Sequence, residues 1–159
     1  MKTIFDIGME IERKGIKFYM SSLKFAEDVN SKNLLQYLAC EEEKHLAYFQ
    51  KMKEEIKQDK KIDVKPQHKT FMFNKKAYKD IEDASSKLIK VFETAIKMEE
   101  QSIKMYTEAA QKEKNLEIKK ILLQIAEYEK DHKQLIKAHS EALYNYLYWE
   151  GIEPAPVES

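Results

Sequence analysis

Residues 42–45 read Glu-Glu-Lys-His and residues 129–132 read Glu-Lys-Asp-His, two Glu-x-x-His motifs set 87 positions apart (Glu42 to Glu129). The same offset relates Glu12 to Glu99, Tyr19 to Tyr106, Leu35 to Leu122 and Ala39 to Ala126. Nothing is inserted or deleted between residues 12–45 and 99–132. The chain is therefore a duplicated unit. Two copies are too few to stack as a solenoid, so each half is expected to be a helix hairpin packed on the other.

Hydrophobic spacing places the motifs on helices. Phe5, Met9, Glu12, Ile16, Tyr19, Leu23 and Ala26 alternate at steps of four and three, which predicts a helix from about Thr3 to Glu27. The stretch Asp28–Ser31 breaks that pattern and offers a cap. A second helix follows from about Lys32 to Gln58, with seam Leu35, Leu38, Glu42, His45, Phe49, Met52 and Ile56. The third runs from about Ala84 to Lys112 through Phe92, Ile96, Glu99, Ile103, Tyr106 and Ala110. The fourth runs from about Leu116 to Trp149 through Leu122, Ile125, Glu129, His132, Ile136, His139 and Leu143. Between the second and third lies a long polar stretch, about 59–83, holding Pro66, His68 and the cluster Phe71-Met72-Phe73. Its length is unusual inside one domain, and it reads either as a disordered linker or as an ordered crossover pinned by the two phenylalanines.

Composition agrees with this division. The 159 residues carry 3 Gly and 3 Pro, too few turn formers for an all-β fold. Lys+Arg and Asp+Glu both number 28, which argues against sequence-blind nucleic-acid binding. A single cysteine, Cys40, excludes a disulfide framework, a four-cysteine rubredoxin-type site and a zinc ribbon within these residues. No apolar run spans a bilayer, and no signal peptide opens the chain, so a cytoplasmic protein without a membrane partner is expected. Residues 1–150 are expected to form one all-α four-helix bundle, with 151–159 as a C-terminal tail.

The chemistry lies in how the seams are broken. A four-three seam faces the core and should be apolar. Here Glu12, Glu42, Glu99 and Glu129 interrupt it, one per helix, and His45 and His132 follow two of them by three residues. Residues three apart share a helix face, so each Glu-x-x-His pair points at one spot. Burying an unpaired carboxylate costs several kcal/mol, and no Lys or Arg occupies these seam positions. Two divalent cations would neutralise four carboxylates and leave the imidazoles neutral. The competing reading is a salt-bridged surface face with no metal.

On these motifs the sequence resembles the ferritin-like superfamily, and within it the rubrerythrin-like di-iron proteins, over nearly the whole chain up to about residue 148. That class takes a Glu from each of two helices and Glu-x-x-His from each of the other two. The run Glu12-Arg-Lys-Gly-Ile-Lys-Phe-Tyr19 is similar to the rubrerythrin-type first helix, and Glu99-Glu-Gln-Ser-Ile-Lys-Met-Tyr106 repeats it. The resemblance implies an antiparallel bundle of two pseudo-symmetric hairpins joined by a long crossover. It further implies two iron ions, bridged by Glu42 and Glu129, with Glu12, Glu99, His45 and His132 as terminal ligands. Manganese or zinc would also suit these N/O donors. Type members carry a rubredoxin domain that one cysteine cannot build, so electrons are expected from a separate rubredoxin-like donor. They also carry an extra Glu one turn after the third-helix ligand. Ser102 stands there, which sets aside the ligand exchange attributed to that Glu.

The activity implied is reduction of hydrogen peroxide or dioxygen. The alternatives are a ferroxidase or iron-handling protein, and a non-catalytic dinuclear metal-binding protein. Tyr19 and Tyr106, two turns from Glu12 and Glu99, are candidates to donate to a ligand carboxylate or to supply an electron. His139, about 10 Å beyond His132 by helix rise, is expected to be packed or hydrogen-bonded rather than ligating. Cys40 is expected as a buried inert thiol. Glu41, Glu43, Glu100 and Glu127 are expected on a solvated face, with one available to orient a ligand imidazole. Met9, Met52, Met98 and Met105 are expected as core filler. Tyr144, Tyr146, Tyr148 and Trp149 are expected to cap the bundle or, with the crossover, to seat a second copy in a homodimer.

Overall fold

The first helix is fixed at its start by a reciprocal cap. In the computed structural model the Asp6 amide donates to Thr3 Oγ1 at 3.2 Å, and the Thr3 amide donates to the Asp6 carboxylate at 2.9 Å. Helix α1 then spans Ile4–Ser22. It stops short of Glu27 because the Ser21 and Ser22 hydroxyls both donate to the Phe18 carbonyl, competing with the backbone ladder. A single 3₁₀ turn, Leu23–Phe25, carries the chain onward. Asp28 caps the next helix, accepting from the Ser31 amide at 2.8 Å, so α2 spans Val29–Lys57 and begins before Lys32. Helix α3 spans Ser86–Lys112 and α4 spans Leu116–Trp149, the latter capped by Asn115 Oδ1.

The structure describes residues 2–58 and 86–149, with side chains described up to 145 and from 87 in the second half. The expected crossover, with His68 and the Phe71-Met72-Phe73 cluster, lies outside the described residues, as do the 151–159 tail and the side chains of Tyr146, Tyr148 and Trp149. No helix among the described residues is long and apolar enough to cross a membrane.

The fold is an all-α four-helix bundle. Helix α1 packs chiefly on α2, and α3 on α4; the two hairpins then meet through α1 with α3 and α2 with α4. Two apolar clusters divide the interior. One holds Leu35, Leu38, Ala39, Phe92 and Ile136; the other holds Phe5, Phe49, Leu122, Ile125 and Ala126. Each residue of the first list stands 87 positions from one of the second. The repeat therefore exchanges the two clusters, which places a pseudo-two-fold axis across the bundle between them. Along α1 the order is Phe5 and Met9 in one cluster, then Glu12, then Tyr19 in the other. The axis passes through the level of the glutamates.

Two depths differ from expectation on α2. Cys40 is exposed rather than buried. It falls on the solvent stripe Asn33, Gln36, Cys40, Glu43 and Ala47. Glu41, expected in solvent, is buried and pairs with the Lys44 ammonium. Helix α2 packs against both α1 and α4, so its buried arc holds two stripes rather than one seam, and Glu41 lies on the second. Glu43, Glu100 and Glu127 are exposed as expected. Ile56 is 39% exposed, where the seam runs past the end of the core.

Candidate metal centre

All six seam residues, Glu12, Glu42, His45, Glu99, Glu129 and His132, are buried, and the structure brings them together. They form two overlapping groups. Glu12, Glu42, His45 and Glu129 make one; Glu42, Glu99, Glu129 and His132 make the other. Within each group, four donor atoms lie within 4.8 Å of one another, close enough to hold a metal ion. Glu42 and Glu129 are common to both. Glu129 presents one oxygen to His45 Nδ1 at 3.2 Å and the other to His132 Nδ1 at 3.3 Å. Glu42 does the same at 3.3 and 3.4 Å. Glu12 approaches only His45, at 3.5 Å, and Glu99 only His132, at 3.9 Å. The imidazoles stack with centroids 5.7 Å apart, both turning Nδ1 toward the carboxylates.

Local packing explains the placement. Gly15 lets α1 approach α2 here, since a Cβ at that position would sit 3.3 Å from Glu42 Cγ. The His45 ring lies parallel to Tyr128 at 5.9 Å, and the His132 ring meets Tyr37 edge-on at 6.2 Å. Tyr19 donates to Glu99, and Tyr106 donates to Glu12. Burial and the neighbouring carboxylates push both phenols well above their usual range, so they stay donors.

The electrostatics follow from crowding. Burial and the Glu42 charge push the Glu12 carboxyl well above the ordinary range, and burial with the Glu129 charge does the same to Glu99. Burial also pushes Glu42 up, but hydrogen bonds from Glu12, His132 and His45 outweigh it and hold Glu42 low. Burial and Glu42 push Glu129 up, yet the two imidazoles and Glu99 hold it at about 2. Burial alone would lower both histidines. The carboxylates instead raise His45 well above its usual value and His132 to about 9. Glu12 and Glu99 are thus pushed toward the protonated form, Glu42 and Glu129 toward the ionised form, and both imidazoles toward the charged form. Four protons on Glu12, Glu99, His45 and His132 would carry the same charge as two divalent ions.

The donor set passes a direct test of fit. Both Glu129 oxygens are buried facing imidazole nitrogens at 3.2 and 3.3 Å without good hydrogen-bond geometry, and His45 Nε2 is buried with no hydrogen bond among the described residues. No Lys or Arg among them pairs with any of the four glutamates. Carboxylate and imidazole donors suit iron, manganese and zinc alike.

The rubrerythrin family model matches residues 4–140. The chain belongs to the rubrerythrin family. No curated protein matches it significantly, and no solved structure does. The matched range takes in all six side chains of the centre.

Sequence reasoning missed the cavity beside the centre. It has a volume of about 270 Å³ and lies between α1 and α3. Glu12, Glu42 and Glu99 form its floor, and Gly15 and Ser102, which the repeat relates, stand on its walls. Small residues at both positions were the available signal.

Proposed function

We propose that this rubrerythrin-family chain holds two iron ions and reduces hydrogen peroxide or dioxygen with electrons from a separate donor protein. Glu42 and Glu129 are assigned as ligands shared by both ions. Glu12 and His45 complete one set, and Glu99 and His132 the other. Two ferrous ions supply, when bound, one electron each to the bound oxidant.

The observation that carries this is the doubled geometry: two groups of four buried donors sharing the carboxylates that face both histidines. The chain's side chains have defined tasks. Tyr19 and Tyr106 hold Glu99 and Glu12 by hydrogen bonds and so fix the terminal carboxylates. The apolar clusters on either side exclude water along the bundle axis. The cavity at Glu12, Glu42 and Glu99 gives a small oxidant its approach. The single cysteine cannot form a rubredoxin-type iron site within these residues, so the reading takes the electrons from outside them.

The test is anaerobic Fe²⁺ titration of the metal-free protein followed by stopped-flow oxidation. Saturation at two irons per chain, lost in E42A and H45A, with faster oxidation by H₂O₂ than by O₂, is the expected result. Failure to bind two ions removes the reading. Continued consumption of Fe²⁺ beyond two per chain in air assigns iron oxidation instead.

A further inference from the structure

The cavity is larger than the oxidants named so far require. Water takes about 30 Å³ of liquid volume, and a cavity of about 150 Å³ already accepts benzene. The space here is about 270 Å³. Hydrogen peroxide, with two heavy atoms, would leave most of it to solvent. The lining is also divided. Its floor is the carboxylate edge of Glu12, Glu42 and Glu99, while Ile11, Met98 and Met105 supply apolar wall. Lys14 and Gln101, both exposed, stand at its mouth. A ligand with one polar end and a compact apolar body matches this lining, with the polar end at the floor.

We propose that the cavity between α1 and α3 takes small organic hydroperoxides, with the alkyl or aryl group against Ile11, Met98 and Met105 and the –OOH group at the carboxylate floor. This rests on the peroxide-reducing reading above. The reaction is ROOH + 2 e⁻ + 2 H⁺ → ROH + H₂O. The O–O bond breaks, the protons come from solvent, and the two iron ions supply one electron each. The one-electron donor protein then restores both electrons. Gly15 and Ser102 set the width: a larger side chain at either position enters the space the organic group needs.

Two measurements test this. The first is binding of 2-phenyl-2-propanol, the alcohol product of cumene hydroperoxide, read by saturation-transfer NMR on the metal-free and zinc-loaded protein. Saturation transfer that S102F abolishes is expected; its absence from the wild-type protein overturns the proposal. The second is the ratio of kcat/KM for cumene hydroperoxide to that for H₂O₂ in the iron-loaded protein. S102F, and independently M105W one turn along the same wall of α3, should lower that ratio at least tenfold at unchanged iron content. An unchanged ratio in variants that fold and hold two irons overturns the proposal. If H₂O₂ oxidises the di-ferrous protein and cumene hydroperoxide does not, this inference fails alone. If neither does, the peroxide-reducing reading fails with it.

Discussion

Tyr19 of α1 donates its hydrogen bond to Glu99 of α3, in the other hairpin, and not to Glu12 of its own helix. Tyr106 of α3 mirrors it by donating to Glu12. Seven residues of helix rise put each phenol about 10 Å along the axis from its own glutamate. The partner hairpin runs past in the register set by the pseudo-two-fold, which brings the other glutamate within reach. The hydrogen bonds therefore both orient carboxylates and tie the hairpins together. Y19F should weaken the ion held by Glu99 and His132 about tenfold or more, and Y106F the ion held by Glu12 and His45. Cobalt titration followed by visible absorbance resolves the two sites. Equal weakening of both ions by either substitution contradicts the crossed assignment.

Metal must displace the protons that neutralise the centre. Glu12, Glu99, His45 and His132 are all raised, so the metal-free fold favours the protonated form of each. Loading two divalent ions should release protons, up to four per chain, measurable in weakly buffered solution. The stability sign follows. At these groups the metal-free fold binds more protons than the unfolded chain, so unfolding free energy falls as pH rises. The histidine share is present below about 6.5 and is lost as pH climbs through the folded value, about 9 for His132. The metal-loaded protein should show the opposite slope, because protons then compete with metal. Melting at pH 6, 7 and 8, with and without zinc, checks both signs; parallel slopes would contradict the displacement.

Much of this centre was readable from spacing. Glu12, Glu42, Glu99 and Glu129 broke four apolar seams at one level, and a break of that kind is expensive unless something neutralises it. The 87-residue offset gave the pairing of halves. Depth and partners were not readable. Seam spacing assigns a face but not the width of the buried arc, and α2, packed on two neighbours, buries Glu41 while leaving Cys40 in solvent. The crossed tyrosines needed the direction of the two-fold, which follows only from how the hairpins dock. The cavity needed the sparse meeting of α1 and α3.

Symmetry is broken at Gly8, and the break is compensated. A Cβ at Gly8 would lie 2.8 Å from ring carbons of Phe49. The equivalent positions are Ala95 and Ile136, both in the other apolar cluster. A ring demands glycine where a branched aliphatic side chain allows alanine. G8A should destabilise the protein by about 1–3 kcal/mol through overpacking. F49I alone should also destabilise, by leaving space beside Gly8. G8A/F49I should recover most of the loss, giving a coupling of about 1–3 kcal/mol in a denaturant-unfolding cycle. Strict additivity would show that the ring and the glycine are not partners.

The second break is polar. Ser31 Oγ and His139 Nε2 lie 2.8 Å apart, both fully buried, and Phe92 meets the His139 ring edge-on at 5.0 Å. The symmetric positions hold Ile118 and Met52, two apolar residues of the other cluster. Burial holds His139 at about 4, with the Asp28 charge pulling the other way. The unfolded chain takes up that proton near pH 6.5, before the fold does. Unfolding free energy should therefore fall as pH drops from about 6.5 to 4, by up to about 3 kcal/mol from this residue. H139M alone strands the Ser31 hydroxyl, and S31I alone removes the hydroxyl that pairs with the imidazole, each costing about 1–3 kcal/mol. S31I/H139M copies the apolar pair of the other half. It should come close to wild-type stability at pH 7 and exceed it at pH 5, because the buried histidine no longer opposes acid. Urea unfolding of the four proteins at both pH values decides this. A double variant as acid-sensitive as the wild type would place the sensitivity elsewhere.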